Sequence, residues 1–100
     1  MDKSEAINKV KAYKVLLQKF FSIDKVYLFG SYARDTNTVH SDIDVAVVVK
    51  HLDEDYFATT PLLWQLRRQI DDRIEPLMFE KGTDQSGFLA QIKEYGIEIV

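Results

Sequence analysis

Two carboxylates, Asp42 and Asp44, stand at the start of the apolar, β-branched run 43–49. Side chains two positions apart in an extended strand point to the same face, so these carboxylates are expected to lie side by side. Like charges at that spacing raise each other's pKa, and the adjoining apolar strand adds a desolvation cost. A hard cation such as Mg²⁺, which takes carboxylate and phosphate oxygens as ligands, would remove the conflict. The pair therefore predicts a site for a metal ion and a phosphate.

A Gly-Ser pair lies between the apolar run 26–29 and a predicted short helix, 31–34. Gly30 lets the backbone turn closely around a ligand, and Ser31 offers a hydroxyl and an N–H where the helix begins. A tight turn after a strand would by itself explain the two residues. Gly-Ser followed eleven residues later by Asp42-x-Asp44 inside a strand is much more specific.

The residues 30–34, Gly-Ser-Tyr-Ala-Arg, and 41–44, Ser-Asp-Ile-Asp, resemble the core of the nucleotidyltransferase superfamily related to DNA polymerase beta. The small size is similar to the minimal nucleotidyltransferase branch, which is often paired in bacteria and archaea with a HEPN-domain partner. One departure is Asp35, where family members usually have Gly, although Asp also tolerates left-handed turn conformations. The resemblance implies an α/β fold with a small mixed β-sheet flanked by helices. We expect the helices on one side of this sheet and an open acid cluster on the other.

The resemblance also implies the roles of individual residues. Asp42 and Asp44 would hold Mg²⁺, with two ions expected, and a third acid on the strand after the next helix would complete the metal triad. Glu75 matches that position, with Glu in place of the more usual Asp. Alternatively, Glu75 pairs with an arginine such as Arg73 or Arg34.

The implied reaction is the transfer of AMP from ATP to a hydroxyl group. Gly30 and Ser31 would hold the β- and γ-phosphates, and Arg34 would contact the triphosphate or pair with Asp35. The favoured acceptor is a tyrosine of a HEPN ribonuclease toxin, so that the chain would be an adenylyltransferase and an antitoxin. Two alternatives stay open: a non-catalytic module that neutralises a toxin by steric cover, and a transferase for small molecules resembling aminoglycosides. A homodimer or a hetero-oligomer with the toxin is compatible with either role.

Composition indicates an ordinary folded globule. The 100 residues, 46% hydrophobic and 29% charged, predict a single domain over 1–100. The formal net charge of −3 argues against direct gripping of a nucleic-acid backbone, which calls for a basic surface. Without a long apolar run, a signal peptide or a cysteine, the chain is expected to be cytoplasmic and not bound to a membrane.

Hydrophobic periodicity and turn residues predict the elements around the site. The predicted helices cover 2–21, 31–34, 60–71 and 83–95. The third begins at Thr60-Pro61, with the Thr as its cap, and the fourth is ended by Gly96. The predicted strands cover 26–29, 43–49 and 73–79, while 96–100 forms a short strand or a tail. The intervening segments 22–25, 35–40 and 50–55 are predicted connectors.

Four further side chains receive an interpretation from their position in these elements. Pro76 cannot donate to a β-ladder, which predicts an edge strand or a bulge at that point. Trp64 falls off the apolar stripe of its helix and is interpreted as a half-buried surface aromatic rather than a platform for a base, with a place in a protein interface as the alternative. Arg67 and Arg68 are interpreted as surface charges, with Arg67 alternatively facing a partner.

Overall fold

The protein is described by a computed structural model that covers residues 1–52, 56–84 and 86–100. In chain order the elements are α1 (Lys3–Leu17), β1 (Ile23–Phe29), α2 (Ser31–Arg34), β2 (Ile43–Val49), α3 (Tyr56–Leu66), a 3₁₀ turn (Arg67–Gln69), β3 (Ile74–Glu80), α4 (Phe88–Tyr95) and β4 (Ile97–Glu98). The sheet has the strand order β3-β2-β1-β4, with β1 antiparallel to both neighbours and β3 parallel to β2.

One face of the sheet packs under α1 and α3. Alternate strand residues point to this face because side chains in a strand have a period of two. The helix contribution recurs every three or four residues along α1, which is the spacing of one helical face. The buried members from α1, β1 and β2 are Ala6, Val10, Tyr13, Leu17, Val26, Leu28, Ile43, Val45, Val47 and Val49. This cluster is the larger of two apolar cores and places β2 in the centre of the molecule.

The opposite face carries a smaller core beneath α4. It is formed by Tyr27, Phe29, Ala46 and Val48 from the sheet and by Leu89 and Ile92 from α4. The ring of Phe88 meets those of Phe29 and Phe79 edge-on, with centroids 5.9 Å and 6.1 Å apart. The mixed sheet flanked by helices is thus confirmed, but helices cover both faces rather than one.

The central elements have the predicted bounds, whereas several element ends do not. α2 and β2 agree with the prediction. α1 ends at Leu17, and β1 starts at Ile23 because the residues interpreted as a connector pair with the end of β2, where Ile23 lies opposite Val49. Part of the predicted loop 50–55 lies outside the described residues.

Two helices begin elsewhere than predicted. α3 starts at Tyr56, so Pro61 lies inside the helix and the predicted Thr cap is wrong. α4 starts at Phe88 because Gly87 has a left-handed backbone (φ 74°), which ends the preceding turn. Asp84 then caps α4 from outside, accepting hydrogen bonds from the N–H groups of Leu89 and Ala90 at 3.1 and 2.9 Å.

The two edge strands of the sheet, β3 and β4, agree more closely with the predictions. β3 is an edge strand, as Pro76 predicted, and it pairs with β2 in parallel register. The last residues form the short strand β4, in which Glu98 lies opposite Tyr27. Within the described ranges, no helix is long and apolar enough to cross a membrane.

Candidate active site

Three acids meet where β2 and β3 begin. Ile43 points into the larger core, so Asp44, one residue later, points to the α4 side of the sheet. Asp42 lies two residues before Asp44, just ahead of the strand, and is therefore on the same side. Because β2 and β3 are parallel, they begin at the same edge, and Asp44 lies directly opposite Glu75. The parallel register therefore brings together all three residues that were predicted from sequence.

The electrostatics of these acids indicate mutual repulsion. Asp44 is half-buried, and its burial, followed by the charges of Glu75 and Asp42, raises its pKa to about 6. Partial desolvation and the neighbouring Asp42 carboxylate raise the pKa of Glu75, while the charge of Arg67 opposes this shift. Glu75 takes part in none of the ion pairs of the described residues, since Arg73 pairs with Asp71. The alternative pairing of Glu75 with Arg73 or Arg34 is thus not seen among the described residues, where Arg73 pairs with Asp71 and Arg34 stacks on Tyr95.

Gly30 packs against the Asp44 carboxylate. Its backbone has φ 72° and ψ −150°, a conformation open essentially to glycine alone. A Cβ atom at this position would lie 2.1 Å from Asp44 Oδ2. The absence of a side chain at Gly30 thus leaves room for the Asp44 carboxylate of β2.

The short helix α2 continues from this turn. Ser31 begins it and is partly exposed. Arg34 is exposed and stacks on Tyr95, with its guanidinium carbon 3.9 Å from the ring centroid, rather than pairing with Asp35. Asp35 has the left-handed conformation (φ 59°) and forms an ion pair with Lys3 at 3.2 Å. Asp35 therefore has a left-handed backbone geometry that glycine would also adopt.

Arg67 is a site-adjacent residue that the sequence interpretation missed. Its Nη1 donates to the backbone carbonyls of Asp72 and Ile74, the latter at 3.1 Å, and its guanidinium lies 4.7 Å from the centroid of the Trp64 ring. Trp64 remains 37% exposed, as expected for a half-buried surface aromatic. Two adjacent arginines at a helix end cannot be told apart in the sequence. In the structure the chain returns past Arg67 as it enters β3, whereas Arg68 stays exposed.

The acid cluster fits a divalent cation by donor type and by charge. Carboxylate oxygens are the ligands that hard cations prefer, and a cation would relieve the repulsion that raises the pKa of Asp44. Within the ranges 1–52, 56–84 and 86–100, no group of three or more His, Cys, Asp or Glu side chains is arranged so that it could hold a metal ion. An ion such as Mg²⁺ needs none, because one or two carboxylates suffice when substrate phosphates and water complete its shell.

The fold and this arrangement agree with the comparison to known families. The model of the family "Polymerase beta, Nucleotidyltransferase" matches residues 11–100, and the chain belongs to this family. It is therefore a nucleotidyltransferase, as predicted from the Gly-Ser and Asp-x-Asp residues.

Individual relatives show the same relationship over nearly the whole chain. A protein of Methanocaldococcus jannaschii, named as a candidate protein adenylyltransferase, is 28% identical over 99 residues, covering 95% of this chain and 99% of the relative. A crystal structure of a toxin–antitoxin with AMP-PNP is similar with a TM-score of 0.64 and 26% identity, over 93% of this chain and 73% of the other. The toxin–antitoxin MntA-HpeT, in a Y104A mutant, is similar with a TM-score of 0.61 and 27% identity, over 90% of this chain and 69% of the other.

Proposed function

We propose that the chain transfers AMP from ATP to a hydroxyl group of a toxin partner and thereby acts as an antitoxin. The observation that carries this proposal is the register of β2 and β3, in which Asp44 lies opposite Glu75 with Asp42 on the same side. Three acids at the start of two parallel strands, beside a glycine turn, form an anionic site that needs a cation and a phosphate. A purely structural protein gains nothing from such a cluster.

Each acid has a role that follows from its position. Asp42 and Asp44 would hold Mg²⁺, and Glu75 would help to hold an ion beside the acceptor. When bound, a pair of such ions stabilises the charge that develops on the attacking and leaving oxygens. Gly30 and Ser31 would receive the β- and γ-phosphates through backbone N–H groups and the serine hydroxyl. Arg34 would add a positive charge on the same side of the turn after leaving its stacked position on Tyr95.

The bond changes balance without a further reactant. A bond forms between the acceptor oxygen and the α-phosphorus, the bond from that phosphorus to the α–β bridging oxygen breaks, and pyrophosphate leaves. The acceptor hydroxyl loses its proton, and Glu75 would take it. A carboxylate with a raised pKa is a better proton acceptor than an ordinary surface Glu, which supports this assignment.

The nature of the partner is proposed from the relatives. Structures similar to this chain include a toxin–antitoxin with AMP-PNP and the toxin–antitoxin MntA-HpeT, and the M. jannaschii relative is named for protein adenylylation. These names support ATP as the nucleotide donor and a protein as the acceptor. We propose a HEPN-domain ribonuclease toxin as the partner and one of its tyrosine hydroxyls as the acceptor, with hetero-oligomer formation during transfer.

The test uses ATP labelled at the α- or the γ-phosphate, with Mg²⁺ and the protein encoded beside this chain. Label is expected on the partner from the α-phosphate alone, and EDTA should abolish its transfer. Mass spectrometry of the labelled partner then identifies the modified residue. Label from γ would indicate phosphoryl transfer instead and contradict the proposal.

Asp44→Asn separates the enzymatic account from steric cover. The variant removes one of three repelling charges, so it should fold at least as stably as the wild type and keep its affinity for the partner. Transfer should fall by at least 100-fold, because a ligand and a negative charge are lost together. If the variant still neutralises the partner as well as the wild type does, the chain acts by binding alone.

A further inference from the structure

We propose that Arg67 is a positioning residue that holds Glu75 beside Asp44 by anchoring the backbone at the start of β3. This inference rests on the proposed function of the acid cluster as a divalent-cation site. It concerns a residue that never touches the substrate and that lies outside the motifs read from the sequence. Its evidence is the pattern of hydrogen bonds around residues 72–74.

Three successive backbone carbonyls at the entry to β3 are held from two sides. Arg67 Nη1 donates to the carbonyls of Asp72 and Ile74, and the N–H of Ile43 donates to the carbonyl of Arg73 between them, at 2.8 Å. Ile43 belongs to β2 and directly precedes Asp44. The same short segment, immediately before Glu75, is therefore attached both to the strand of Asp44 and to the 3₁₀ turn that follows α3.

The guanidinium itself is held in one place. It lies against the ring of Trp64, and its Nε is buried without a hydrogen-bond partner among the described residues. An arginine that only served solubility would keep these groups in water. Stacking on an aromatic ring while donating to two carbonyls uses the planar shape of arginine, which the single ammonium of lysine lacks.

The edge position of β3 explains why such an anchor matters. Among the described residues, β3 pairs in the sheet with β2 alone, and Pro76, one residue after Glu75, has no N–H to donate. The backbone on either side of Glu75 therefore has fewer ladder contacts than a central strand. Arg67 supplies the missing restraint from outside the sheet, and its charge reaches the Glu75 carboxylate as well.

The test is a titration with Mn²⁺ alone, followed by the electron paramagnetic resonance of the free ion. Arg67→Met should weaken Mn²⁺ binding by about 10-fold, since residues that orient metal ligands typically contribute that much. Arg67→Lys keeps the positive charge but lacks the forked N–H donors of the guanidinium. Its Mn²⁺ affinity should therefore lie between that of Arg67→Met and that of the wild type. Arg68→Met is the matched control, because Arg68 is the exposed neighbour, and it should bind Mn²⁺ as the wild type does.

A double-mutant cycle shows whether Arg67 acts through Glu75. In a Glu75→Gln background, Arg67→Met should cause no further loss of Mn²⁺ affinity. The inference is overturned if Arg67→Met loses the same Mn²⁺ affinity in both backgrounds, or if Arg67→Met binds Mn²⁺ as tightly as the wild type. It is also overturned if the wild type does not bind Mn²⁺.

If Arg67→Met does not fold, the Mn²⁺ affinity of Arg67→Lys is the test, and an affinity equal to that of the wild type overturns the inference. The titration contains neither ATP nor the partner, so Mn²⁺ binding without AMP transfer would reject the proposed function and leave the inference standing.

Discussion

Asp44 bears most of the electrostatic conflict at the scale of single residues. It is half-buried, it lies opposite Glu75, and Gly30 packs directly on its carboxylate. The period of two in a strand was enough to predict that Asp42 and Asp44 share a face. Nothing in the sequence predicted the contact with Gly30, because it joins β1 to β2 and depends on a register in which Phe29 lies opposite Asp44.

Replacing Gly30 with alanine tests that contact. We expect Gly30→Ala to lower the free energy of unfolding by about 2 kcal/mol, because the backbone conformation is unfavourable for alanine. The new methyl group would also displace the Asp44 carboxylate, since its ideal position is 2.1 Å from Oδ2. Urea unfolding and Mn²⁺ titration measure the two effects.

Gly82 provides the matched control. It also has a positive φ (81°), but nothing lies within 4 Å of the place a Cβ would occupy. Gly82→Ala should therefore lose about 1 kcal/mol from backbone strain and leave Mn²⁺ affinity unchanged. Equal Mn²⁺ affinity in Gly30→Ala and Gly82→Ala would show that Gly30 does not set the position of Asp44.

At the scale of elements, Asp71 joins α1 to the entry of β3. Its carboxylate accepts hydrogen bonds from Lys9 of α1 and from the side chain and backbone N–H of Arg73. These bonds, led by that of the Arg73 side chain, hold the pKa of Asp71 far below its usual range. The link from Asp71 to α1 was not predicted, because Lys9 lies 62 positions away in the sequence.

The stabilisation by Asp71 should depend on pH. The folded-state pKa is depressed, so the contribution is complete well above the ordinary value of 3.8 and declines as the pH falls below it. Asp71→Asn should reduce the free energy of unfolding by about 2 kcal/mol at pH 7. The penalty should be clearly smaller at pH 3, where the unfolded wild type must take up a proton that the folded protein does not hold.

Urea unfolding at pH 7 and pH 3 measures this difference. Asp72→Asn is the control, since Asp72 is the exposed neighbour and its replacement should change the free energy of unfolding by about 0.5 kcal/mol or less at either pH. The same penalty for Asp71→Asn at both pH values would mean that the ion pairs contribute nothing and that packing alone is affected.

The element boundaries show where local sequence signals were overridden. Thr60-Pro61 has the residue types of a helix start, yet α3 begins at Tyr56 and accommodates the proline in its interior. The last helix was predicted from residue 83, yet it begins at Phe88: the Thr83 hydroxyl donates to Glu80, and Asp84 accepts from the N–H groups of the first turn. In both cases several residues could begin the helix, and tertiary packing selected among them.

At the scale of the whole molecule, one sheet supports two apolar cores. The β-branched run 43–49 was enough to predict the strand β2, and the resemblance implied the helices around it. The covering of the second face by α4 was not predicted, because it depends on aromatic contacts such as that of Phe88 with Phe29 across distant parts of the chain. The consequence is that the acids lie at the rim of a packed face rather than on an open one.

The two cores should unfold together because the strands between them belong to both. Leu28, in the larger core, and Ile92, in the smaller one, are each fully buried. Leu28→Ala and Ile92→Ala should each lower the free energy of unfolding by about 2 to 4 kcal/mol, as for other large-to-small changes in cores. Each variant should still unfold in one transition, with an unchanged dependence on urea concentration, when followed by circular dichroism and by Trp64 fluorescence. A second unfolding transition in Ile92→Ala, with the larger core still folded, would show that α4 and the smaller core are a separate unit. The acid cluster would then lie beside a helix that can detach without unfolding the sheet.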